Sequence, residues 1–256
     1  MIWTMKTLSP AAIFLCAVAL VSCEKNAVTD ITEPFPGANV KFFNFGVNAP
    51  GVNFYSNDAK VTAINSTSGA ELTTGTAYGV AGNGGLYSSL PPGQYTFSGK
   101  IAAATDKDVA VSKITMTIAD KKYYSFYQSG IYSVANKTVD AFVVEDPFPA
   151  IIDFSVATVR FVNAIAGSNP ASLSVKNQVT GTVTPLGDAV AYKSAGTFTA
   201  LPAGVYDLTA VFPGAGVATR TAVTFNVGRT YTIGARGDIT VVTGTTAPTL
   251  DNTANR

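Results

Sequence analysis

The six residues 90–95, Leu-Pro-Pro-Gly-Gln-Tyr, return as residues 201–206, Leu-Pro-Ala-Gly-Val-Tyr. Proline fixes φ, glycine accepts a positive φ, and tyrosine starts an alternating apolar run. Each copy therefore predicts a turn that leads into a β-strand. We expect the structural glycines of the two turns, Gly93 and Gly204, to adopt the positive φ.

The segments around the two turns are duplicated as well. Val-Lys-Phe-Phe-Asn at 40–44 corresponds to Val-Arg-Phe-Val-Asn at 159–163, and Lys-Tyr-Tyr-Ser-Phe at 122–126 corresponds to Arg-Thr-Tyr-Thr-Ile at 229–233. Apolar residues alternate with polar ones in both copies, and no segment has a helical apolar stripe. The pattern predicts an all-β fold of two tandem antiparallel β-sandwiches, immunoglobulin-like or prealbumin-like, with about seven short strands each.

Prolines and polar stretches divide the chain. Pro147 and Pro149 interrupt any strand ladder between the repeats, so we expect two independently folding domains separated there. The polar C-terminal residues are expected to fray. The predicted parts are a signal peptide at 1–22, a lipidated cysteine and tether at 23–38, repeat one at 39–144, a linker at 145–156, repeat two at 157–243 and a polar tail at 244–256.

The N-terminal residues have the order of parts found in a lipoprotein signal. Lys6 precedes an apolar run, and the run ends in Leu-Val-Ser-Cys at 20–23, which resembles a bacterial lipobox. The expected cleavage lies between Ser22 and Cys23, and Cys23 is the expected lipidation site. Translation from Met1 or from Met5 fits this pattern. The protein is then a membrane-anchored lipoprotein of the bacterial cell envelope, with the outer membrane as the expected location and its periplasmic or surface face left open.

The duplicated segments also resemble a known family. Val-Arg-Phe-Val-Asn-Ala at 159–164, Asn169-Pro170 and the strand from Leu173 to Val175 are followed by 201–208 and 228–233, and together they resemble the DUF4397 family. The resemblance implies β-sandwich modules of unknown function, often in tandem, in secreted and cell-surface proteins such as Bacteroidetes lipoproteins. It covers both repeats, is clearer in the second, and implies no catalytic residues.

Composition excludes several classes of function. The chain has no histidine and two cysteines, one of which precedes the cleavage point, so Ser-His-Asp catalysis and His or Cys metal sites are excluded. With 17 basic and 16 acidic residues, no nucleic-acid partner is predicted. The close carboxylate pairs, Asp106 with Asp108 and Glu145 with Asp146, are expected to be exposed. We therefore predict no catalytic residues, no metal, no cofactor and no enzymatic activity.

Aromatic residues crowd one part of repeat one. Tyr123, Tyr127 and Tyr132 are the candidates for a ligand-facing aromatic surface, although packing against the neighbouring repeat would also explain them. The leading hypothesis is a lipid-anchored, non-enzymatic binding or adhesion module, whose partners are the membrane and a glycan or an envelope protein. A structural or assembly subunit of an envelope complex is the alternative, and a carboxylate-dependent glycan hydrolase is a distant one.

Overall fold

A computed structural model describes residues 37–62 and 73–255. In repeat one, alternating β-branched and aromatic residues form nine strands within the described residues, where about seven were expected. They are β1 (Ala38–Asn44), β2 (Val52–Ser56), β3 (Ala59–Lys60), β4 (Val80–Ala81), β5 (Ser88–Leu90), β6 (Gly93–Ile101), β7 (Ala110–Ile118), β8 (Tyr123–Ser133) and β9 (Thr138–Glu145).

Repeat two has a matching set of strands in the same order. The correspondence with repeat one includes the short strands that precede the repeated turn. The strands are β10 (Ala157–Asn163), β11 (Ser172–Asn177), β12 (Val183–Pro185), β13 (Ser194–Ala195), β14 (Thr199–Leu201), β15 (Gly204–Phe212), β16 (Gly216–Phe225), β17 (Thr230–Arg236) and β18 (Thr249–Ala254).

Each repeat is a sandwich of two sheets, as predicted. In repeat one, the sheet of β4, β5, β1, β8 and β9 packs on the sheet of β3, β2, β6 and β7. Phe42 from the first sheet stacks on Phe54 from the second, with ring centroids 5.2 Å apart. Repeat two repeats this arrangement with β13, β14, β10, β17 and β18 against β12, β11, β15 and β16. The all-β fold of two tandem sandwiches is therefore present.

One pair of strands in each repeat is parallel, which the antiparallel prediction did not include. β1 runs parallel to β8, and β10 runs parallel to β17. All other paired strands are antiparallel. The first strand of each repeat therefore lies in the middle of its sheet, next to the eighth of the nine strands of that repeat.

The two parallel-paired sheets face each other across the boundary between the repeats. One apolar cluster unites Phe43 and Tyr127 of repeat one with Val162 and Ala164 of repeat two. Contacts across the boundary follow the same order along both repeats. Lys41 of β1 contacts Asn255, whose amide donates to the Thr230 carbonyl oxygen at the start of β17, and Phe45 just after β1 lies against Gly234 further along β17. β1 and β17 therefore point the same way, and the long strands of both repeats run between two ends of the molecule.

We call these the proximal and the distal end. The proximal end holds Gly37, the linker at 146–156 and the turn at 226–229, because β1 and β17 begin there and β9 ends there. The distal end holds the turns at 45–51, 102–109, 134–137, 164–171, 213–215 and 237–248.

The role predicted for Gly204 is wrong in its detail. Gly93 and Gly204 are the first residues of β6 and β15. Gly93 has a φ of 154°, as expected, whereas Gly204 is not among the residues with positive φ. A side chain at Gly204 would be crowded for another reason, because a Cβ would lie 3.0 Å from Asn177 Nδ2 and the Tyr206 ring folds back over the glycine. A Cβ on Gly204 would lie 3.3 Å from Tyr206 Cε2, and the Tyr206 hydroxyl donates a hydrogen bond of 2.8 Å to the carbonyl oxygen of Pro202.

The predicted polar tail is also wrong over much of its length. Residues 249–254 form β18, which pairs with all six residues of β17 from Tyr231 to Arg236. Leu250 is buried in the core of repeat two. Leu250 is the one large apolar residue among Thr, Asp, Asn and Ala, so the segment gave no alternating signal, and pairing with β17 rather than local propensity determines this strand.

Removing the Leu250 side chain tests whether β18 belongs to the core. We expect Leu250→Ala to lower the free energy of unfolding by about 2–4 kcal/mol, because it leaves a cavity in a packed core. Thr253→Ala, in the same strand but partly exposed, should cost less than about 0.5 kcal/mol. Urea unfolding of both variants measures the difference, and equal, small losses would show that the strand is dispensable.

Candidate functional site

Apolar and charged side chains of the two repeats meet at the boundary between them, and we call this boundary the joint. Repeat one contributes large rings, with Tyr127 stacked between Phe43 at 4.6 Å and Phe142 at 5.0 Å. Repeat two contributes the small residues Val162 and Ala164. Large side chains on one side thus fill the space that small ones leave on the other, as in a close-packed protein interior.

Gly234 shows how closely the two surfaces fit. A Cβ on this β17 residue would lie only 2.9 Å from Phe45 Cε2 of repeat one. In repeat one the strand position equivalent to Gly234 is Tyr127, since both occupy the fifth pair of the parallel ladder. The duplicated sheets have therefore diverged into complementary surfaces.

A buried ion pair joins the repeats beside the aromatic stack. Arg160 of β10 pairs through Nη2 with Asp146 Oδ1, and the side chains are 1% and 0% exposed. Arg160 also donates through Nη1 to the carbonyl oxygen of Glu145 at 2.9 Å and through Nε to Thr232 Oγ1 at 3.1 Å. Asp146 Oδ2 accepts hydrogen bonds from the Tyr87 and Ser125 hydroxyls, at 2.7 and 2.8 Å. Both charges are satisfied, as burial of an ion pair requires.

Lys41 is the counterpart of Arg160 in repeat one. Its Nζ donates to Asn255 Oδ1 at 3.0 Å in repeat two, just as Arg160 reaches Asp146 in repeat one. The Lys41 ammonium lies 4.3 Å from the Tyr87 ring centroid, and the Arg160 guanidinium lies 4.8 Å from that of Phe198. The joint therefore has an approximate two-fold relation in its polar contacts.

The hydrogen-bond partner of Lys41 is the neutral Asn255, whereas the partner of Arg160 is the charged Asp146. The pKa of the Lys41 amine is shifted by its surroundings in the joint. Burial lowers the pKa of Lys41 to about 8; the nearby Asp146 charge opposes this shift and the Arg160 charge adds to it. Burial, together with Asp146, raises the pKa of the Tyr87 hydroxyl. The phenol therefore stays protonated and donates to the carboxylate.

The aromatic candidates from the sequence lie in three different environments. Tyr127 is fully buried in the joint, so the interpretation as a ligand-facing residue is wrong for it, and packing against the neighbouring repeat explains it. Tyr123 is half-buried, with its ring centroid 5.1 Å from that of the linker residue Phe148. Tyr132 packs partly against the core of repeat one. The three side chains do not form one surface.

The carboxylates expected to be exposed also differ from one another. Asp146 is buried, because it supplies the counter-charge for Arg160. Glu145 instead pairs with Lys122 at 2.6 Å on the surface. Asp106 pairs with Lys137, and Asp108 accepts a hydrogen bond of 3.1 Å from the Tyr55 hydroxyl.

The predicted lipidation site, Cys23, and the cleavage residue Ser22 lie outside the described residues. Across residues 37–62 and 73–255, no group of three or more histidine, cysteine, aspartate or glutamate side chains is arranged to hold a metal ion. Over the same part of the chain, no helix has the length and apolar character needed to span a membrane.

An open cleft of about 450 Å³ runs along one side of the joint. Phe43 and Phe45 line it but are only 2% exposed, Val80 contributes exposed apolar surface, and the 3-10 turn at Gly82–Gly85 forms one wall. Residues 251–254 of β18 form the other wall and bring carboxylate, amide and hydroxyl groups. Apolar surface with a few polar groups is typical of ligand sites, and this cleft needs both repeats.

The sequence alone did not predict that these residues form a joint between the repeats. Lys41 and Arg160 occupy the same position of a repeated strand, between residues of the sandwich core, which is also the pattern of a solvent-facing charge. The sequence does contain one sign of the joint. Two residues after Lys41 and Arg160, on the same outward face of the strand, Phe43 and Val162 are apolar. Apolar residues on both faces of one strand indicate that a second layer covers it.

Breaking the buried ion pair should weaken the whole molecule. We expect Asp146→Asn to lower the free energy of unfolding by about 3–5 kcal/mol, because it leaves the Arg160 charge buried without a counter-charge. Its neighbour provides the control, since Glu145→Gln removes only an exposed pair worth less than about 1 kcal/mol. Urea unfolding that finds equal losses for the two variants would contradict a structural role for the buried pair.

Lys41 predicts an unusual dependence of stability on pH. Above about pH 8 folded Lys41 has lost its proton, whereas in the unfolded chain it keeps the proton up to its ordinary pKa of 10.5. The Lys41 contribution to the free energy of unfolding should therefore rise with pH through this window. Lys41→Met should remove that rise, while Lys113→Met on the exposed face of β7 should retain it. Identical pH profiles for the protein and Lys41→Met, measured by urea unfolding, would refute the assignment.

The chain matches no protein-family model and no curated protein. It is similar to two solved structures, each described as a "putative cell adhesion protein". The one from Bacteroides ovatus is 10% identical, with a TM-score of 0.26, over 86% of this chain and 96% of that chain. The one from Bacteroides eggerthii is 11% identical, with a TM-score of 0.23, over 88% of this chain and 98% of that chain. At these values no residue role transfers, and membership of the DUF4397 family stays a prediction.

Proposed function

We propose that this protein is a lipid-anchored binding or adhesion module of the bacterial cell envelope that holds a glycan without turning it over. The observation that carries the proposal is the joint, which packs two sandwiches into one body and creates a cleft between them. The lipobox at Cys23 supplies the anchor and residues 24–36 supply the tether. The absence of histidine from the whole chain fits a role in binding rather than in acid–base catalysis.

The joint suits a binding protein because it fixes the geometry of the site. The ion pair of Arg160 and Asp146 and the stack around Tyr127 are buried, so the two walls of the cleft are held by core-like contacts rather than by a flexible linker. A site that is formed before binding loses little conformational entropy when the ligand arrives.

The chemistry of the cleft favours a sugar chain as the ligand. Asp251, Asn252 and Thr253 offer hydrogen-bonding groups along one strand, and the exposed side chain of Val80 adds apolar surface to the same cleft. Asp251 is itself positioned by a pair with Arg236 of β17. Hydroxyl groups of a glycan match such donors and acceptors, and its apolar ring faces match a small apolar surface.

A glycan array with the protein and two arginine variants tests the proposed binding site. We expect Thr253→Arg to fill the cleft and reduce binding at least about tenfold, by removing contacts worth about 1.4 kcal/mol or more. Thr224→Arg, on the exposed face of β16 away from the cleft, should bind like the parent. Release of sugar from a bound glycan would replace the proposal with a hydrolase, and loss of binding in both variants would reject the cleft as the site.

The proposed anchor has its own test. In cells supplied with labelled fatty acid, the protein should become labelled and Cys23→Ser should not. Labelling of the serine variant would show that another residue carries the lipid. This result is independent of the array, so anchor and ligand site can fail separately.

A further inference from the structure

The linker between the repeats exposes large apolar side chains at the proximal end. Ile151 is 84% exposed, Ile152 41% and Phe154 76%. Phe154 lies over Gly228 in the adjoining turn, where a Cβ would be 2.9 Å from the ring atom Cδ1. Val227 of the same turn is exposed as well. We call these four residues the apolar tip: Phe154 and Ile152 both lie beside Gly228, and Ile151 and Val227 precede Ile152 and Gly228 in the chain.

The chain enters the described fold at the same end. The Gly37 amide donates to Asp120 Oδ1 at 2.7 Å, and its carbonyl oxygen accepts from the Lys121 amide at 2.9 Å, so residue 37 is tied to the turn before β8. The linker starts beside the first residue of β8, where the Asp146 amide donates to the Tyr123 carbonyl oxygen at 2.7 Å. The start of the described chain and the apolar tip therefore share one end of the molecule.

The length of the preceding chain limits how far this end can be from a lipid on Cys23. Residues 24–36 separate Cys23 from Gly37, and they span at most about 50 Å when fully extended. Strands of nine to eleven residues, such as β6 and β8, place the distal turns about 30 Å further away. The chain that leads from Cys23 therefore joins the body at the proximal end, where the apolar tip lies.

Charged side chains of both signs surround the tip. Lys121 and Arg229 are exposed at the proximal end, and Glu145 there is paired with Lys122. Asp153 lies within the linker, but it accepts hydrogen bonds from the Ser155 amide at 2.8 Å and the Ser155 hydroxyl at 2.6 Å. These bonds lower the pKa of the Asp153 carboxyl, which therefore keeps its negative charge. Asp120 is also exposed at this end, so the affinity of the tip for a lipid interface rests on its apolar side chains, with the basic residues beside them available to anionic headgroups.

We propose that the apolar tip inserts into the lipid interface as a second membrane contact beside the lipid anchor. The proposal rests on the proposed function, because the anchor on Cys23 is what holds this end at a bilayer. One lipid signal with a second contact binds a membrane far more durably than either alone. The second contact also fixes the orientation of the body, so that the distal turns point away from the membrane.

A unique tryptophan can report the insertion. Trp3 is the single tryptophan of the whole sequence, so residues 24–256 contain none, and these residues include every described strand. In this unacylated chain, Phe154→Trp should show a blue-shifted emission with phosphatidylethanolamine–phosphatidylglycerol vesicles and quenching by brominated acyl chains. Val134→Trp, an exposed apolar position at the distal end, should show neither change.

Serine substitutions measure the contribution of the tip to binding. We expect Ile151→Ser/Ile152→Ser/Phe154→Ser to weaken partitioning into the vesicles by about tenfold or more, since each substitution removes apolar area from the contact. Val134→Ser/Val242→Ser, at the distal end, is the control and should partition like the parent. Circular dichroism of all variants establishes that the fold is retained.

The outcomes separate this proposal from the proposed function. No shift and no quenching of Phe154→Trp, or equal partitioning of the two serine variants, overturns the membrane contact even when Cys23 is acylated in cells. Capture of an envelope protein by the apolar tip without any response to vesicles likewise overturns it in favour of protein docking. Quenching of Phe154→Trp alone, with loss of partitioning in the triple serine variant, supports it whether or not Cys23 is acylated.

Discussion

The buried pair of Arg160 and Asp146 is the contact on which the arrangement of the two repeats depends. An arginine charge removed from water is costly unless a counter-charge and further acceptors surround it. Here the acceptors come from both sides of the boundary, namely Asp146 and the Glu145 carbonyl oxygen in one repeat and Thr232 in the other. The pair therefore tolerates one relative position of the sandwiches and disfavours others, whereas the apolar stack alone would tolerate small shifts.

The joint also explains how a duplicated sequence becomes asymmetric. Two identical sheets facing each other would present large side chains to large ones. The protein has large rings at Phe43 and Tyr127 and small residues at Val162 and Gly234 in the equivalent positions. The polar contacts kept their two-fold relation through Lys41 and Arg160, but only Arg160 has a charged partner. The cleft beside the joint is one product of this divergence, because it forms where β18 of one repeat faces β4 of the other.

The repeated sequence segments predict the fold class, but they do not predict how the two repeats pack against each other. The alternation in β6, β7 and β15 was strong enough to predict strands and sandwiches, since it depends on neighbours along the chain. β18 was missed because its six residues gain their structure from pairing with β17. Tyr127 and Asp146 were misplaced for a related reason, as a face that looks solvent-exposed in one sandwich is buried by the other. The positive φ expected at Gly204 is absent, and the glycine is instead crowded by Asn177 and by the Tyr206 ring two residues away.

The parallel pairing of the first strand has a consequence for how each repeat folds. Asn39 of β1 pairs with Tyr123 of β8, and Thr158 of β10 pairs with Thr230 of β17. Most of a repeat must therefore exist before its first strand gains its parallel partner, and such long-range contacts make folding slow. During synthesis from the N-terminus, β1 is made first and cannot form its parallel pair until β8 has been made. Until then Phe42 and Phe43 lack their contacts with β8. Segments of this kind are the ones that aggregate or need a chaperone during folding.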